Sequence, residues 1–328
     1  MKLSKYLIII GLLTSISFSQ TKLAQTGFNF LSVSSDARSV AMGDAVNSLS
    51  GFSGAMSYNP ASMAEMPTLL NTTFSMNKWI ADIDYLAASL IISPNSGDYG
   101  TIGLSIQSVD YGDLDGTVVD RNSPNGYAET GFFSPTALAV GLGYAKMISQ
   151  QFGIGAQIKY AYQKLGESSV MNSEGNVTSK ENKENALAFD FGTIYKIGIK
   201  SITFGMSVAN FSQEVKFEEE GFQLPLLFTI GISANVFDFV NMQSFDQDLL
   251  VSVDWTHPRS HPEQLKIGAE YKIFDILSLR GGYVGGNDEN DFSFGAGIEY
   301  FGVEFDYAYT SFGIFDNVQR FTARLSLL

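Results

Sequence analysis

The stretch from Leu265 to Tyr309 constrains the fold most, because it reads as four strands in a row. Leu265, Ile267, Ala269 and Tyr271 share one face, and Leu277, Leu279 and Tyr283 share the next. Phe292, Phe294, Ala296, Ile298 and Tyr300 follow, then Val303, Phe305, Tyr307 and Tyr309. The opposite faces carry Lys266, Gly268, Glu270, Arg280, Gly282, Gly295, Gly297, Glu299, Glu304 and Asp306. Period-two alternation of this length marks strands with one apolar and one polar face. A soluble sandwich and a membrane barrel both alternate, so residue type has to choose between them. A solvated face favours Lys, Glu and Thr, whereas this polar face is rich in glycine, which fits a crowded interior where another segment approaches the backbone. The apolar face is Phe, Tyr, Leu and Ile, with tyrosines toward strand ends as in an aromatic girdle. The expected fold class is all-β, a transmembrane antiparallel β-barrel.

The N-terminus reads as a secretory leader. Lys2 and Lys5 form a positive start, Tyr6 to Phe18 an apolar stretch too short to span a bilayer, and Ser17 and Ser19 the small residues of a cleavage site before Gln20. The chain has no cysteine, so an exported protein of this sequence is held without disulfides, which a closed hydrogen-bond ladder achieves. The formal net charge is −14, and loss of residues 1–19 removes two lysines and no acid. That balance argues against nucleic-acid binding, which needs a basic stripe.

Three units are expected: a leader over 1–19, an N-terminal plug segment over 20–66 and a barrel over 67–328. Residues 20–66 are not strand-like. Ser34 to Ala45 is small and mildly helical, and Asn59-Pro60 can open a short helix. Such a segment can fold back into the lumen of a barrel of moderate width. From Leu69 the alternation gives fourteen strands, near 69–78, 83–93, 99–109, 135–147, 152–164, 186–196, 200–210, 225–236, 248–256, 264–272, 276–284, 291–300, 302–310 and 318–328. Tight turns alternate with longer loops at 110–134, 165–185, 211–224, 257–263, 285–290 and 311–317, as periplasmic turns alternate with external loops. Two connections misfit, a short one at 79–82 and a long one at 237–247. Gly103, Gly141, Gly143, Gly155, Gly192, Gly205, Gly231 and Gly268 all fall on the polar faces of their strands, which predicts a filled interior.

Charged residues in lumen phase need partners or water. Those expected in a lumen and plug network are Lys159, Asp190, Asp254, Glu270, Arg280, Glu299 and Asp306, with Lys266, Glu304 and Arg324 in the same phase. Arg38, from the plug, is the expected partner of the acids and would pin the plug. Leu114, Val118, Phe132, Phe133, Phe217 and Phe222 lie in external loops and mark a possible contact site for an apolar ligand or a protein partner. Enzyme chemistry finds little support. His257 and His261 are the only histidines, each precedes a proline, and they share no helix face. No serine sits in a nucleophile elbow. Asp113-x-Asp115-Gly116 lacks the other ligands of a calcium loop. No cofactor and no metal are expected.

Several short motifs carry a resemblance. These are Ser35-Asp36-Ala37-Arg38 with Met42-Gly43-Asp44-Ala45, Asn59-Pro60-Ala61, Ala188-Phe189-Asp190-Phe191-Gly192, Val208-Ala209-Asn210-Phe211, and Leu224-Pro225-Leu226. They continue with Val253-Asp254-Trp255-Thr256-His257-Pro258, Ile267-Gly268-Ala269-Glu270-Tyr271, Leu279-Arg280-Gly281-Gly282-Tyr283 and Asp306-Tyr307-Ala308-Tyr309. In order and spacing the chain resembles the PorV/PorQ family of outer-membrane proteins, itself similar to the fatty-acid transporter FadL family. The resemblance implies a fourteen-stranded barrel in the bacterial outer membrane with an N-terminal segment in its lumen. It also implies two roles. The first is a PorV-like accessory of type IX protein secretion, whose partners are a secretion translocon and cargo proteins. The alternative is a FadL-like transporter of hydrophobic small molecules. The external loops look modest for a cargo-binding surface.

Overall fold

Eighteen strands form among the residues described by the computed structural model, which are 26–327 apart from 120–122, 172–176, 218–219, 241–246, 287–291 and 314–316. The secretory leader expected at 1–19 lies outside the described residues. In chain order the strands are β1 (Leu70–Lys78), β2 (Asp84–Ile92), β3 (Thr101–Asp110), β4 (Leu114–Val119), β5 (Tyr127–Phe133) and β6 (Thr136–Met147). Next come β7 (Phe152–Met171), β8 (Val177–Lys196), β9 (Thr203–Ser212), β10 (Val215–Phe217), β11 (Glu220–Phe222) and β12 (Leu227–Asn235). Last are β13 (Gln247–Pro258), β14 (Gln264–Ile273), β15 (Leu277–Gly285), β16 (Phe292–Tyr300), β17 (Val303–Thr310) and β18 (Val318–Leu327).

Fourteen of these close into one antiparallel barrel, in the order β1-β18-β17-β16-β15-β14-β13-β12-β9-β8-β7-β6-β3-β2. The first and last strands complete the ring, in register from Leu70↔Leu327 to Lys78↔Gln319. A closed ring leaves no unpaired edge, which is the condition for crossing a bilayer with strands. The alternation sets which way each side chain points. Phe74, Phe294, Ile298 and Phe305 face outward and are 57–64% exposed, while Asp254, Arg280 and Asp306 face the lumen and are buried.

The remaining strands form two small hairpins outside the ring, β4–β5 and β10–β11. Together with the outer halves of β7 and β8 they fall where the alternation left loops at 110–134, 165–185 and 211–224. The external connections are therefore not modest: β7 and β8 run 20 residues each, far past the 152–164 and 186–196 segments. The cause lies in the residues there, Lys164, Glu167, Lys180, Glu181, Lys183 and Glu184, which pair as a strand without an apolar face to announce it. The two misfitting connections are genuine. Ile80–Asp82 turns tightly through left-handed Ala81 and Asp82, and Phe237–Val240 is a short helix.

Candidate functional site

The chain from Thr26 to Met66 runs inside the ring of strands from one end to the other. At the end carrying the long connections, Thr26 bridges Gln223 and Gly27 N–H donates to Gln223 O. At the other end Glu65 pairs with Lys196 and the chain turns into β1. Between them lie a 3-10 turn, Asn29–Ser32, a short helix, Ala37–Ala41, and two further 3-10 turns, Ser53–Ser57 and Pro60–Glu65. Asp36 caps the helix by accepting from Ser39 N–H at 2.9 Å, and Asn59 caps the second turn by accepting from Ala61 N–H.

This inner segment lies close against the barrel wall because the wall is stripped of side chains where they meet. A Cβ on Gly268 would sit 2.5 Å from Met42 O, and one on Gly282 would collide with the Met42–Gly43 backbone. Gly155 meets Pro60, Gly205 meets Asn47, and Gly103 meets Met56 and Met63 in the same way. Most of the glycines on the polar faces therefore mark the track of the inner segment, whereas Gly141 and Gly297 make room for wall side chains.

Charge fixes it in place. Arg38 grips Glu270 with two hydrogen bonds, Nε to Oε2 at 2.9 Å and Nη2 to Oε1 at 2.7 Å. Arg280 donates to the same Glu270 at 2.5 Å, to Glu304 at 2.9 Å and to Asp306. Arg324 bridges Glu304 and Asp36, the latter at 3.2 Å. The Phe52 ring lies between two of these guanidiniums, 4.6 Å from that of Arg38 and 5.1 Å from that of Arg324. Three arginines thus meet four carboxylates, and the inner segment supplies one of each. Buried ions of this kind are tolerated only when each finds its partners.

The eight residues expected in one network separate into groups. Arg38, Glu270, Arg280 and Asp306 meet, with Glu304, Arg324 and Asp36. Lys159 and Asp190 form a second pair at 2.8 Å, with Asn210 Oδ1 accepting from Lys159. Asp254 binds the inner segment through Asn47 N–H at 2.9 Å. Glu299 does not join them: its place next to the β16–β17 turn leaves it half-buried on Lys272 at 2.9 Å. Asn47 and the stacking of Phe52 on arginine were not read from sequence, and Asn59 was read only as the residue that opens a short helix at Pro60. Asn59 Nδ2 donates to the carbonyls of Asn47 and Thr193, tying two parts of the inner segment to the wall. Its position before Pro60 was the available signal.

Above the ion network, at the end with the long connections, an apolar cap closes the lumen. Phe28 and Phe30 insert among Tyr85, Val109, Leu224 and a row of alanines, Ala137, Ala139, Ala161, Ala186 and Ala188. Phe28 has φ 58°, a left-handed conformation that costs an aromatic residue energy. Its ring is held between Phe30 at 6.1 Å and Phe222 at 6.0 Å. Trp79 and Phe312 meet edge to face at 4.8 Å beside Tyr85. Of the loop residues expected at a contact site, Phe222 joins this cap. Leu114 and Phe132 are exposed on the β4–β5 hairpin, and Val118 and Phe133 are half-buried there. The side chain of Phe217 lies outside the described residues.

Below the cap lies a cavity of about 160 Å³ lined by both polar and apolar groups. Asp44, Asn47 and Tyr58 line it from the inner segment, and Gln107, Gln157, Lys159, Asn210, Asp254 and Lys266 line it from the barrel. Next to it the β8–β9 ladder is interrupted. Pairing skips from Phe189↔Phe211 to Phe191↔Val208, so Ala209 and Asn210 bulge opposite Asp190. Asp190 fills the gap by accepting from Asn210 N–H at 2.7 Å.

No family model matches the sequence, and no curated protein matches it. Solved structures do match. The fold is similar to that of the CymD monoaromatic hydrocarbon channel, with TM-score 0.62 and 12% identity over 90% of this chain and 98% of that one. It is also similar to the Pseudomonas putida toluene transporter TodX, with TM-score 0.56 and 12% identity over 94% and 99%. A Pseudomonas aeruginosa FadL homologue gives TM-score 0.55 and 11% identity over 90% and 99%. The chain therefore has the FadL-like, fourteen-stranded fold of bacterial outer-membrane barrels.

Proposed function

We propose that this protein is an outer-membrane channel for small apolar molecules. The observation that carries the proposal is the vertical order of the lumen: an aromatic cap at the outer mouth, a cavity beneath it beside an interrupted strand ladder, and an ion-locked interior below. An apolar solute gains by entering the cap and loses by going further down, where carboxylates and amides would lose hydrogen bonds to it. The favourable route from the cap is sideways, through the wall at the Ala209–Asn210 bulge into the hydrocarbon of the membrane. Two proteins of the same fold are described as a monoaromatic hydrocarbon channel and a toluene transporter, which supports this ranking over the secretion role.

Uptake of labelled toluene and of a labelled sugar by a strain lacking the gene, complemented with wild type or with a variant deleted for Ala209, tests the route. Toluene uptake is expected to rise several-fold with wild type and to stay low with the deletion, which restores regular pairing. Sugar uptake is expected to stay unchanged. Equal toluene uptake by both complemented strains would remove the lateral route.

A second reading, a PorV-like accessory of type IX secretion, draws on the sequence motifs and on the external ribbons. Phe132, Val119 and Tyr127 are exposed on the β4–β5 hairpin, a surface that suits a protein partner. Affinity capture from the native outer membrane separates the two: a large translocon barrel, or cargo proteins sharing a C-terminal domain, would put secretion first.

A further inference from the structure

The outer wall of the barrel has a hollow that neither role uses. It lies over the seam where the first and last strands meet and has a volume of about 820 Å³. One rung of side chains crosses it in register, Ile106–Ala88–Phe74–Ala323–Phe305–Ile298, on six neighbouring strands. Phe74, Phe305 and Ile298 stand out from the wall at 61%, 64% and 57% exposure. Ala88 and Ala323, on either side of Phe74, are half-buried although they point outward. The six carry no polar side-chain atom.

The reason for the hollow lies on the other face of the same strands. There Ser75, Ser89 and Thr322 on the lumen side are small, beside Glu304, Asp306 and Arg324 of the ion network. The inner helix packs its Ala37 and Ala41 against Ala308, and Ala37 N–H donates to Thr322 Oγ1 at 2.9 Å. Where small residues of the two faces coincide, at Ala88 and Ala323 outside and Ser75, Ser89 and Thr322 inside, the wall is thin and the outside is recessed.

We propose that this hollow is a binding site for the acyl chains of an outer-membrane lipid. It is continuous with the apolar outer belt that the transmembrane fold places in hydrocarbon, so its occupant comes from the bilayer. A flat or convex wall touches a lipid chain on one side, whereas a hollow flanked by phenylalanines surrounds it and multiplies the dispersion contacts. A cavity of roughly 150 Å³ holds one benzene, so this one has room for more than one chain. The absence of polar atoms among the six side chains fits a hydrocarbon chain and leaves the headgroup to the membrane surface.

The test is quantitative lipid mass spectrometry on the full-length protein, purified from its outer membrane and washed exhaustively in detergent. Wild type is expected to keep a stoichiometric phospholipid or lipopolysaccharide. The variant Ala88→Phe/Ala323→Phe fills the hollow and is expected to lose that lipid several-fold, whereas Leu142→Phe, an outward position on another part of the wall, keeps it. Folding of each variant is read from its heat-dependent gel mobility, and if the double variant does not fold, Ala88→Leu and Ala323→Leu are compared in its place. Wild type that retains no lipid, filled variants that retain as much as wild type, or a protein bound in place of lipid would each overturn the proposal. The result is independent of toluene uptake, so the two ideas stand or fall separately.

Discussion

At the scale of single residues, two adjacent glycines show how sharply the lumen is defined. Gly282 faces inward, where an added Cβ would strike the Met42–Gly43 backbone, while Gly281 faces outward, where an added Cβ would come no nearer than 4.0 Å to Phe294 Cδ1. Gly282→Val is expected to destabilise the protein by about 1–3 kcal/mol through overpacking, and Gly281→Val to change it little. Urea unfolding in lipid vesicles measures both; equal losses would mean that the inner segment does not press on the wall. Arg280 gives a second contrast. It is 5% exposed and serves three carboxylates. Arg280→Leu leaves Glu270, Glu304 and Asp306 short of a cation, at a cost of about 3–5 kcal/mol. Glu299→Gln, on the half-buried Lys272 pair, is expected to be nearly silent in the same assay. The sequence placed both residues in lumen phase but could not separate them. Phase says which face a side chain is on, and depth along the strand comes only with the register.

At the scale of elements, legibility follows the hydrophobic contrast. All fourteen barrel strands were visible because most set apolar residues against glycine, small polar residues or charge. The β4–β5 hairpin was not, since Leu114 to Phe133 mixes exposed Phe132 and Val119 with Asp115, Thr117 and Glu129 and has no buried side. Its pairing is confined to its own two strands, apart from the ring. Excising Leu114–Phe133 behind a short glycine linker is therefore expected to leave the heat-dependent gel mobility of the barrel unchanged. Loss of the folded band would show that the hairpin supports the ring. The inner segment was legible as a non-strand stretch with capping residues, yet its contacts were not. Asn47 reaches Asp254 and Asn59 reaches Thr193, and such long-range pairs leave no periodic trace in the chain.

For the whole molecule, the segment from Thr26 to Met66 is expected to separate the two ends of the barrel. Removing it is expected to turn a closed barrel into a conducting one, read as a large rise in single-channel conductance across a planar bilayer. Arg38→Ala removes one two-bond grip and leaves the Arg324–Asp36 contact and the glycine track, so its small-solute flux is expected to lie between wild type and the deletion. A deletion as impermeable as wild type would locate the seal elsewhere. Net charge, even phase and alternating loop lengths were enough to read an outer-membrane barrel. They do not encode what passes through it, because that depends on the order of cap, bulge and ion network along the axis.

The inner segment also bears on the order of assembly. It crosses the entire lumen and enters β1 at the far end, and β1 then joins β18 across almost the full length of the chain. Packed backbone to backbone at Gly155, Gly205 and Gly282, it has no room to slide lengthwise through a finished cylinder. The Leu70↔Leu327 to Lys78↔Gln319 pairs are also the most distant in sequence within the ring, and contacts of that separation form late. The inner segment is therefore expected to lie in the lumen before the β1–β18 pairs close the ring, and its own ties to the last strand, Ala37 to Thr322 and Asp36 to Arg324, to form with that closure.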